Sequence, residues 1–170
     1  MSYTIRPLVA EDEPLLWEML YHAAHMAEDG VTSADAAKTH PFLAKYVQGW
    51  GRAGDLGVAA IESVGGRAIG VAWVRNFTGA EKNYSVVDET VPELAIAVLP
   101  GYTDQGIGTR LLRRLLDAAR SLYPAIVLSV RADNPARRLY ELVGFVAVDE
   151  ITNRVGGMSL VMKVDLLRKL

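Results

Sequence analysis

The residues with the clearest chemical meaning are two glycines, Gly106 and Gly108, which lie between an apolar run and a helical repeat. The run from Leu94 to Leu99 has the length of a buried strand, and apolar residues recur at helical spacing after the glycines. The first N–H groups of a helix have no partner within it, and the helix dipole places partial positive charge there. Because glycine has no side chain to keep an anion away from those amides, the pattern predicts a phosphate-binding turn.

Two nucleotide-binding motifs are incomplete at this turn. The dinucleotide fingerprint requires a third glycine after Gly108, and this chain lacks it. Thr109 and Arg110 stand where the phosphate loop of a nucleoside triphosphatase has lysine followed by serine or threonine. The sequence therefore disfavours a nucleoside triphosphatase, and a plain tight turn is the alternative to a phosphate site.

Composition excludes several other kinds of site. The chain has 170 residues, of which 51% are hydrophobic, so we expect one domain, residues 1–170, with a sizeable core. It has no cysteine, which excludes disulfides and thiol nucleophiles, and with only three histidines no metal site is expected. There is no basic and apolar leader and no apolar run of about 18 residues, so we expect a cytoplasmic protein that does not bind membranes.

Charge is distributed unevenly along the chain, although the net charge is only −2. Residues 1–100 carry 7 basic and 13 acidic side chains, whereas residues 101–145 carry 7 and 4. The basic block coincides with the glycine turn and suits an anionic cofactor, and the acidic half suits a cationic co-substrate. Solvated helix faces of mixed charge are the alternative for most of these side chains, and no nucleic-acid partner is expected.

The elements that must position the turn follow from periodicity and from turn residues. We predict the order βααβββαβαββ in one mixed α/β domain. The predicted strands are 3–8, 56–63, 68–77, 91–99, 125–131, 145–149 and 158–165. The predicted helices begin near residues 10, 41, 107 and 135, and the second of them extends to Trp50. We expect Trp17, Trp50 and Trp73 in the core or in a pocket wall.

This layout and two motifs resemble the GNAT superfamily of N-acetyltransferases. Residues 103–108, Thr-Asp-Gln-Gly-Ile-Gly, are similar to the family's Gln/Arg-x-x-Gly-x-Gly/Ala loop for the pyrophosphate of acetyl-CoA. Residues 134–145 are similar to the family's Asn-x-x-Ala-x-x-x-Tyr-x-x-x-Gly-Phe stretch. The resemblance covers nearly the whole chain, and its one clear departure is Thr103, which stands where the family usually has Gln or Arg.

The resemblance implies a fold of the α/β (α+β) class with a mixed, mostly antiparallel sheet of about seven strands and about four flanking helices. It also implies a V-shaped splay between the fourth and fifth strands, opened by a bulge near Ala97. The implied activity is transfer of an acetyl group from acetyl-CoA, the co-substrate, to a primary amine on a small molecule or a peptide. The apolar last strand is compatible with a homodimer.

The resemblance also assigns cofactor-binding roles. Amides of the glycine turn would hold the pyrophosphate, and the central strand would pair its backbone with the pantetheine arm as an added strand would. Arg110, or Arg137 from the next helix, would neutralise the nucleotide phosphates. The residues assigned to cofactor binding are Ile96, Ala97, Val98, Gln105, Gly106, Ile107, Gly108, Thr109, Arg110, Asn134, Arg137 and Tyr140.

Acyl transfer requires that the amine lose a proton, that an N–H group stabilise the oxyanion and that the departing thiolate receive a proton. Tyr140 stands where the family's general acid usually stands, and the alternative is that it only packs on the cofactor. Glu93 is the best candidate for the base, acting through water, with Asp88 and Glu89 as backups, and the alternative is a solvated strand end. For the whole chain, the alternatives are a non-catalytic acyl-CoA-binding sensor or scaffold and a nucleotide-binding α/β domain.

Overall fold

Seven strands form one sheet in a computed structural model, which describes residues 2–23, 38–79, 90–152 and 156–166. The strands are β1 (Tyr3–Pro7), β2 (Leu56–Glu62), β3 (Ala68–Arg75), β4 (Glu93–Val98), β5 (Ala125–Arg131), β6 (Val146–Thr152) and β7 (Met158–Asp165). Their order is β1-β2-β3-β4-β5-β7-β6, and every neighbouring pair is antiparallel except β4 and β5. The predicted mixed, mostly antiparallel sheet is confirmed.

Helices flank the sheet in the order that the sequence predicts. Within the described ranges they are α1 (Glu13–Ala23), α2 (Pro41–Ala44), α3 (Ile107–Ala119) and α4 (Arg137–Leu142). A short 3₁₀ turn precedes α1, and Asp12 holds it by accepting the Val9 N–H at 2.8 Å and pairing with Arg6 at 2.9 Å. Across the part of the chain that the structure describes, no helix is long and apolar enough to cross a membrane.

The second helix is shorter than predicted. Periodicity predicted a helix over 41–50, whereas α2 is a single turn and the chain then continues in irregular turns. The carbonyls of Lys45 and Gln48 accept hydrogen bonds from Arg75 Nη1, at 3.0 and 2.7 Å, instead of continuing a helical ladder. Gly49 follows with φ of +72°, a conformation that ends a helix.

Apolar side chains pack on both faces of the sheet. On one face, α3 and α4 cover a core to which α3 contributes Leu111, Leu112 and Leu115, all fully buried. On the other face, α1 and the segment after α2 cover β3 and β4. The predicted burial of the three tryptophans is confirmed, and all of them lie in this second cluster.

The position of α3 depends on Gly70 of β3. A Cβ at this glycine would lie 3.1 Å from Leu111 Cδ1 and 3.4 Å from Ile107 Cγ2, so that a larger residue would crowd the side chains of the helix. Gly70 is also the register partner of Val98, the last residue of β4. The first turn of α3 therefore lies over the end of β4.

A buried ion pair anchors the segment between α2 and β2. Arg75 donates to both carboxylate oxygens of Asp55, at 3.0 and 2.8 Å, and the two side chains are only 1% and 3% exposed. Asp55 Oδ2 also accepts the N–H groups of Gly51 and Arg52, at 2.9 and 3.1 Å. The pair therefore connects β3 to the turn that leads into β2.

Removal of one partner of this pair should lower the stability of the folded protein strongly. We expect Arg75→Met to lower the free energy of unfolding by about 3–5 kcal/mol, because it leaves the Asp55 carboxylate buried and uncompensated. Arg120→Met is the matched control, since it removes an exposed pair with Asp117 that is worth at most about 1 kcal/mol. Urea unfolding of both variants checks this, and equal losses would contradict it.

Candidate active site

The sheet opens between its two parallel strands. Glu93, the first residue of β4, pairs with Val127, the third residue of β5, and no further residue pair joins these strands within the described ranges. Ala95, Ile96 and Val98 are partly exposed although β4 is the middle strand of seven, as expected for a strand that borders a gap. The predicted splay between the fourth and fifth strands is confirmed.

The bulge that we expected near Ala97 is absent from the pairing of β4 with β3. This pairing runs from Glu93 opposite Arg75 to Val98 opposite Gly70 without a shift in register. β5 pairs with β7 along its whole length in the same way. β4 and β5 are therefore each paired in continuous register with their antiparallel neighbours, and the sheet opens between them without a register shift in either pairing.

The glycine turn forms the start of α3. Gly106 is the N-cap residue, with φ of +81°, and Asp104 before it also has a positive φ, of +60°. The Arg110 N–H donates to the Gly106 carbonyl at 3.1 Å, so the N–H groups of residues 107–109 precede the helical ladder. No described atom lies within 4 Å of the place where a Cβ on Gly106 would be. A helix start whose first N–H groups precede the helical ladder is the kind of backbone site at which anions bind in proteins.

Gly108 lies where α3 approaches α4. A Cβ here would lie 3.0 Å from Leu139 Cδ2 of α4, and the contact of Gly108 with an anion stays a prediction. The missing side chain therefore allows α3 to pack closely against α4 at this point. Since Leu139 precedes Tyr140, the glycine turn and the helix that carries Tyr140 are in direct contact.

Two polar side chains assigned to the cofactor stabilise local turns. Gln105 Nε2 donates to the Gly101 carbonyl at 3.2 Å and thereby closes the loop before α3. Asn134 Oδ1 accepts the Ala136 N–H at 2.8 Å in the turn before α4. The helix predicted to begin near residue 135 begins at Arg137, with Ala136 as its N-cap residue. Their contact with a cofactor stays a prediction.

Both arginines assigned to the nucleotide phosphates have partners within the protein. Arg110 lies over the ring of Tyr3, 5.0 Å from its centroid, and donates to the Tyr3 hydroxyl at 3.0 Å. Arg137 pairs with Glu141 at 3.3 Å on an exposed part of α4. Contacts of this exposed kind are worth about 0–1 kcal/mol, so a phosphate would compete with them at little cost. Phosphate binding by either arginine stays a prediction.

Tyr140 is a buried phenol, 8% exposed, with its ring edge-on to Phe145 at a centroid distance of 6.0 Å. Burial raises the pKa of Tyr140 to about 12, because apolar surroundings penalise the charged phenolate. The phenol therefore keeps its proton throughout the neutral range. This is the protonation state that a general acid requires.

Glu93 is a buried carboxylate, 5% exposed, which contradicts the alternative of a solvated strand end. The hydroxyl of Tyr46, from the segment after α2, donates to Glu93 Oε2. Arg75 is the register partner of Glu93 on β3. The backup bases, Asp88 and Glu89, lie outside the described residues.

The two candidate catalytic side chains belong to opposite faces of the sheet. Tyr140 is part of the core under α3 and α4, whereas Glu93 contacts Tyr46, which packs on the α1 side. The gap between β4 and β5 is the place where these faces meet. An acetyl donor bound in the gap would therefore have the Tyr140 phenol on the side of one face and the Glu93 carboxylate on the side of the other.

Sequence reasoning missed Tyr46, Asp55 and Arg75. A basic residue at the end of an otherwise apolar predicted strand was an available signal for Arg75. No local pattern predicts the role of Tyr46, because its hydrogen bond to Glu93 joins residues that are 47 positions apart in the sequence.

A mixed sheet that opens between parallel strands, with a glycine turn at the end of the gap, has the architecture that the two motifs led us to expect of an acetyltransferase. The profile described as the Acetyltransferase (GNAT) family matches residues 17–145, well over half of the chain. The chain therefore belongs to the GNAT family of acetyltransferases.

Solved structures of other proteins are similar to this chain over nearly its whole length. The chain is similar to YncA of Salmonella typhimurium, in a structure with acetyl-CoA, over 99% of its length and 96% of that chain (TM-score 0.69, 22% identity). It is also similar to a chimera of the spermidine N-acetyltransferase SpeG of Vibrio cholerae with hSSAT, over 98% of its length and 96% of that chain (TM-score 0.65, 21% identity). At these identities the similarity establishes the fold.

One curated relative matches a short stretch. Over 51 residues the chain is 53% identical to the N-alpha-acetyltransferase RimI of Mycobacterium tuberculosis. This match spans 29% of the chain and 31% of that protein.

Tyr140→Phe should change how stability depends on pH. The unfolded chain loses the phenol proton near the ordinary pKa of about 10, whereas the folded protein keeps it up to about 12. The contribution of Tyr140 is therefore fully present below the unfolded pKa and is lost as the pH rises toward the folded one. Above about pH 10, we expect the unfolding free energy of the wild type to fall, relative to Tyr140→Phe, by about 1.4 kcal/mol per pH unit. Urea unfolding at several alkaline pH values measures this, and a constant difference would contradict it.

Proposed function

We propose that the protein transfers an acetyl group from acetyl-CoA to a primary amine by direct attack of the amine. The observation that carries the proposal is the gap between β4 and β5, with the glycine turn at its end and Glu93 and Tyr140 on opposite faces. Membership of the GNAT family and the acetyl-CoA in the YncA structure support this donor.

The backbone of the gap fits such a donor in two ways. The amides of residues 107–109 would bind the pyrophosphate, because the helix start concentrates unpaired N–H groups and positive dipole there. The edge of β4 over residues 96–98, which β5 leaves unpaired, would bind the pantetheine arm as a strand is added to a sheet. Bound acetyl-CoA supplies the thioester carbonyl that the amine attacks.

The side chains of Glu93 and Tyr140 would then carry out the proton transfers of the reaction. Glu93 accepts, through a water molecule, the proton that the amine must lose before it is a nucleophile. Tyr140 donates its phenol proton to the sulfur of the departing thiolate, and burial keeps that proton in place until it is needed. A backbone N–H stabilises the oxyanion.

The acceptor that we propose is a primary amine on a small molecule or a peptide. The excess of acidic side chains in residues 1–100 favours a cationic small molecule, and SpeG is named for such an acceptor, spermidine. RimI is named for an α-amine, so peptides with free amino termini belong in the same test. A cytoplasmic location and a homodimer stay predictions.

Thiol release from acetyl-CoA tests the activity against polyamines, aminoglycosides, amino acids and short peptides. We expect at least one amine to be acetylated, and we expect Glu93→Gln and Tyr140→Phe each to lower kcat/KM about 100-fold or more, as for loss of a general base or acid. Glu150→Gln, on exposed β6, and Tyr123→Phe are the matched controls and should keep the activity. If the protein binds CoA but acetylates no amine, the activity is contradicted and the non-catalytic binding module takes its place.

Binding of CoA separates the role of the glycine turn from general stability. We expect Gly106→Ala to cost about 1–2 kcal/mol of stability, because an L-residue is strained at φ of +81°, and also to weaken CoA binding. Gly65→Ala is the control, since this hairpin glycine has φ of +87° and equally open surroundings among the described residues. Calorimetric titration with CoA should show weaker binding for Gly106→Ala alone. Equal affinities for the two variants would argue against a phosphate site at this turn.

A further inference from the structure

Tyr46 makes a direct contact with the carboxylate that we propose as the base. Its hydroxyl donates to Glu93 Oε2, and Glu93 is 5% exposed. Burial removes water from a carboxylate and destabilises its ionised form unless a hydrogen-bond donor replaces that water. A hydrogen bond donated to the ionised carboxylate stabilises that form. The ring of Tyr46 packs edge-on against Phe77, with centroids 5.2 Å apart, which restrains the direction of the hydroxyl.

The backbone around Tyr46 is held by β3. Trp73 Nε1 donates to the Tyr46 carbonyl at 3.1 Å, and Arg75 Nη1 donates to the Gln48 carbonyl at 2.7 Å. Arg75 is also the register partner of Glu93. One strand thus fixes both the segment that carries the hydroxyl and the strand that carries the carboxylate.

We propose that Tyr46 is the positioning residue that orients Glu93 and keeps it ionised as the base of the transfer. This inference rests on the proposed function and adds a residue to it. Tyr46 acts through Glu93 and is not placed at the reacting atoms. Without its hydroxyl, Glu93 holds a proton to higher pH and samples more orientations, so fewer molecules have a base ready at a given pH.

Other charged groups lie on the elements packed against β4, and their effect on a pH profile must be separated from that of Glu93. β3 contributes Arg75, the segment after α2 contributes Lys45 beside Tyr46, and α1 contributes Glu18 and His22. Burial lowers the pKa of His22, so this imidazole also titrates on the acid side of neutrality. A His22→Gln variant therefore serves as the control for the acid limb of a pH profile.

The test compares Tyr46→Phe with Tyr123→Phe. The first removes one oxygen and keeps the ring on Phe77, and the second removes a hydroxyl that bonds to the Gly54 carbonyl away from Glu93. In Tyr46→Phe we expect kcat to fall about tenfold with KM for acetyl-CoA unchanged, and the acid limb of kcat/KM to move up by about one pH unit. Tyr123→Phe and His22→Gln should keep the wild-type limb.

A direct titration keeps the inference separate from the activity. In protein labelled with ¹³C at the glutamate carboxyl, the Glu93 signal is the one missing from Glu93→Gln. Its midpoint should rise by about one pH unit in Tyr46→Phe and should not move in Tyr123→Phe. An unmoved midpoint in Tyr46→Phe overturns the inference, whatever happens to the rate. A wild type that transfers no acetyl group overturns the proposed function instead, and the titration still decides whether Tyr46 controls the charge of Glu93.

Discussion

The separation of β4 from β5 is the constraint on which the other features depend. β3 holds β4 in an unbroken register and β7 holds β5, so one edge of β4 carries N–H and C=O groups that the sheet does not pair within the described ranges. Backbone groups in a protein interior require partners, and an extended ligand arm provides them as a strand would. Because Gly70 lets α3 lie close over the end of the same strand, the helix start lies next to the open edge.

The two candidate catalytic groups are both buried, but their neighbours favour opposite protonation states. Tyr140 lies among apolar side chains, which keep the phenol protonated and able to donate. Glu93 is equally buried, but the Tyr46 hydroxyl donates to it, and this favours the carboxylate. The Arg75–Asp55 pair supports the hydrogen bond from Tyr46 to Glu93 indirectly, because Arg75 also holds the segment that carries Tyr46. In this protein a buried ion pair therefore has a geometric role as well as an energetic one.

Local rules were sufficient where local interactions decide the structure. The bounds predicted for β5 and β7 match the observed ones, and Gly106 has the left-handed conformation that suits a glycine at a helix start. They failed where a distant residue intervenes. Arg75 donates to the carbonyls that would have extended α2, and the close approach of Leu139 to Gly108 comes from another helix. Glu93 was identified as a candidate, but its burial and its partner Tyr46 depend on packing that no local pattern encodes.

The central claim is that CoA occupies the gap between β4 and β5 with its pyrophosphate on the first turn of α3. Backbone amide spectra of ¹⁵N-labelled protein, recorded during a titration with CoA, test it most directly. The account predicts that the amides of residues 96–98 and 105–109 shift together and reach saturation at one CoA per chain. Shifts confined to other parts of the sheet, or saturation that leaves both stretches unmoved, would contradict it.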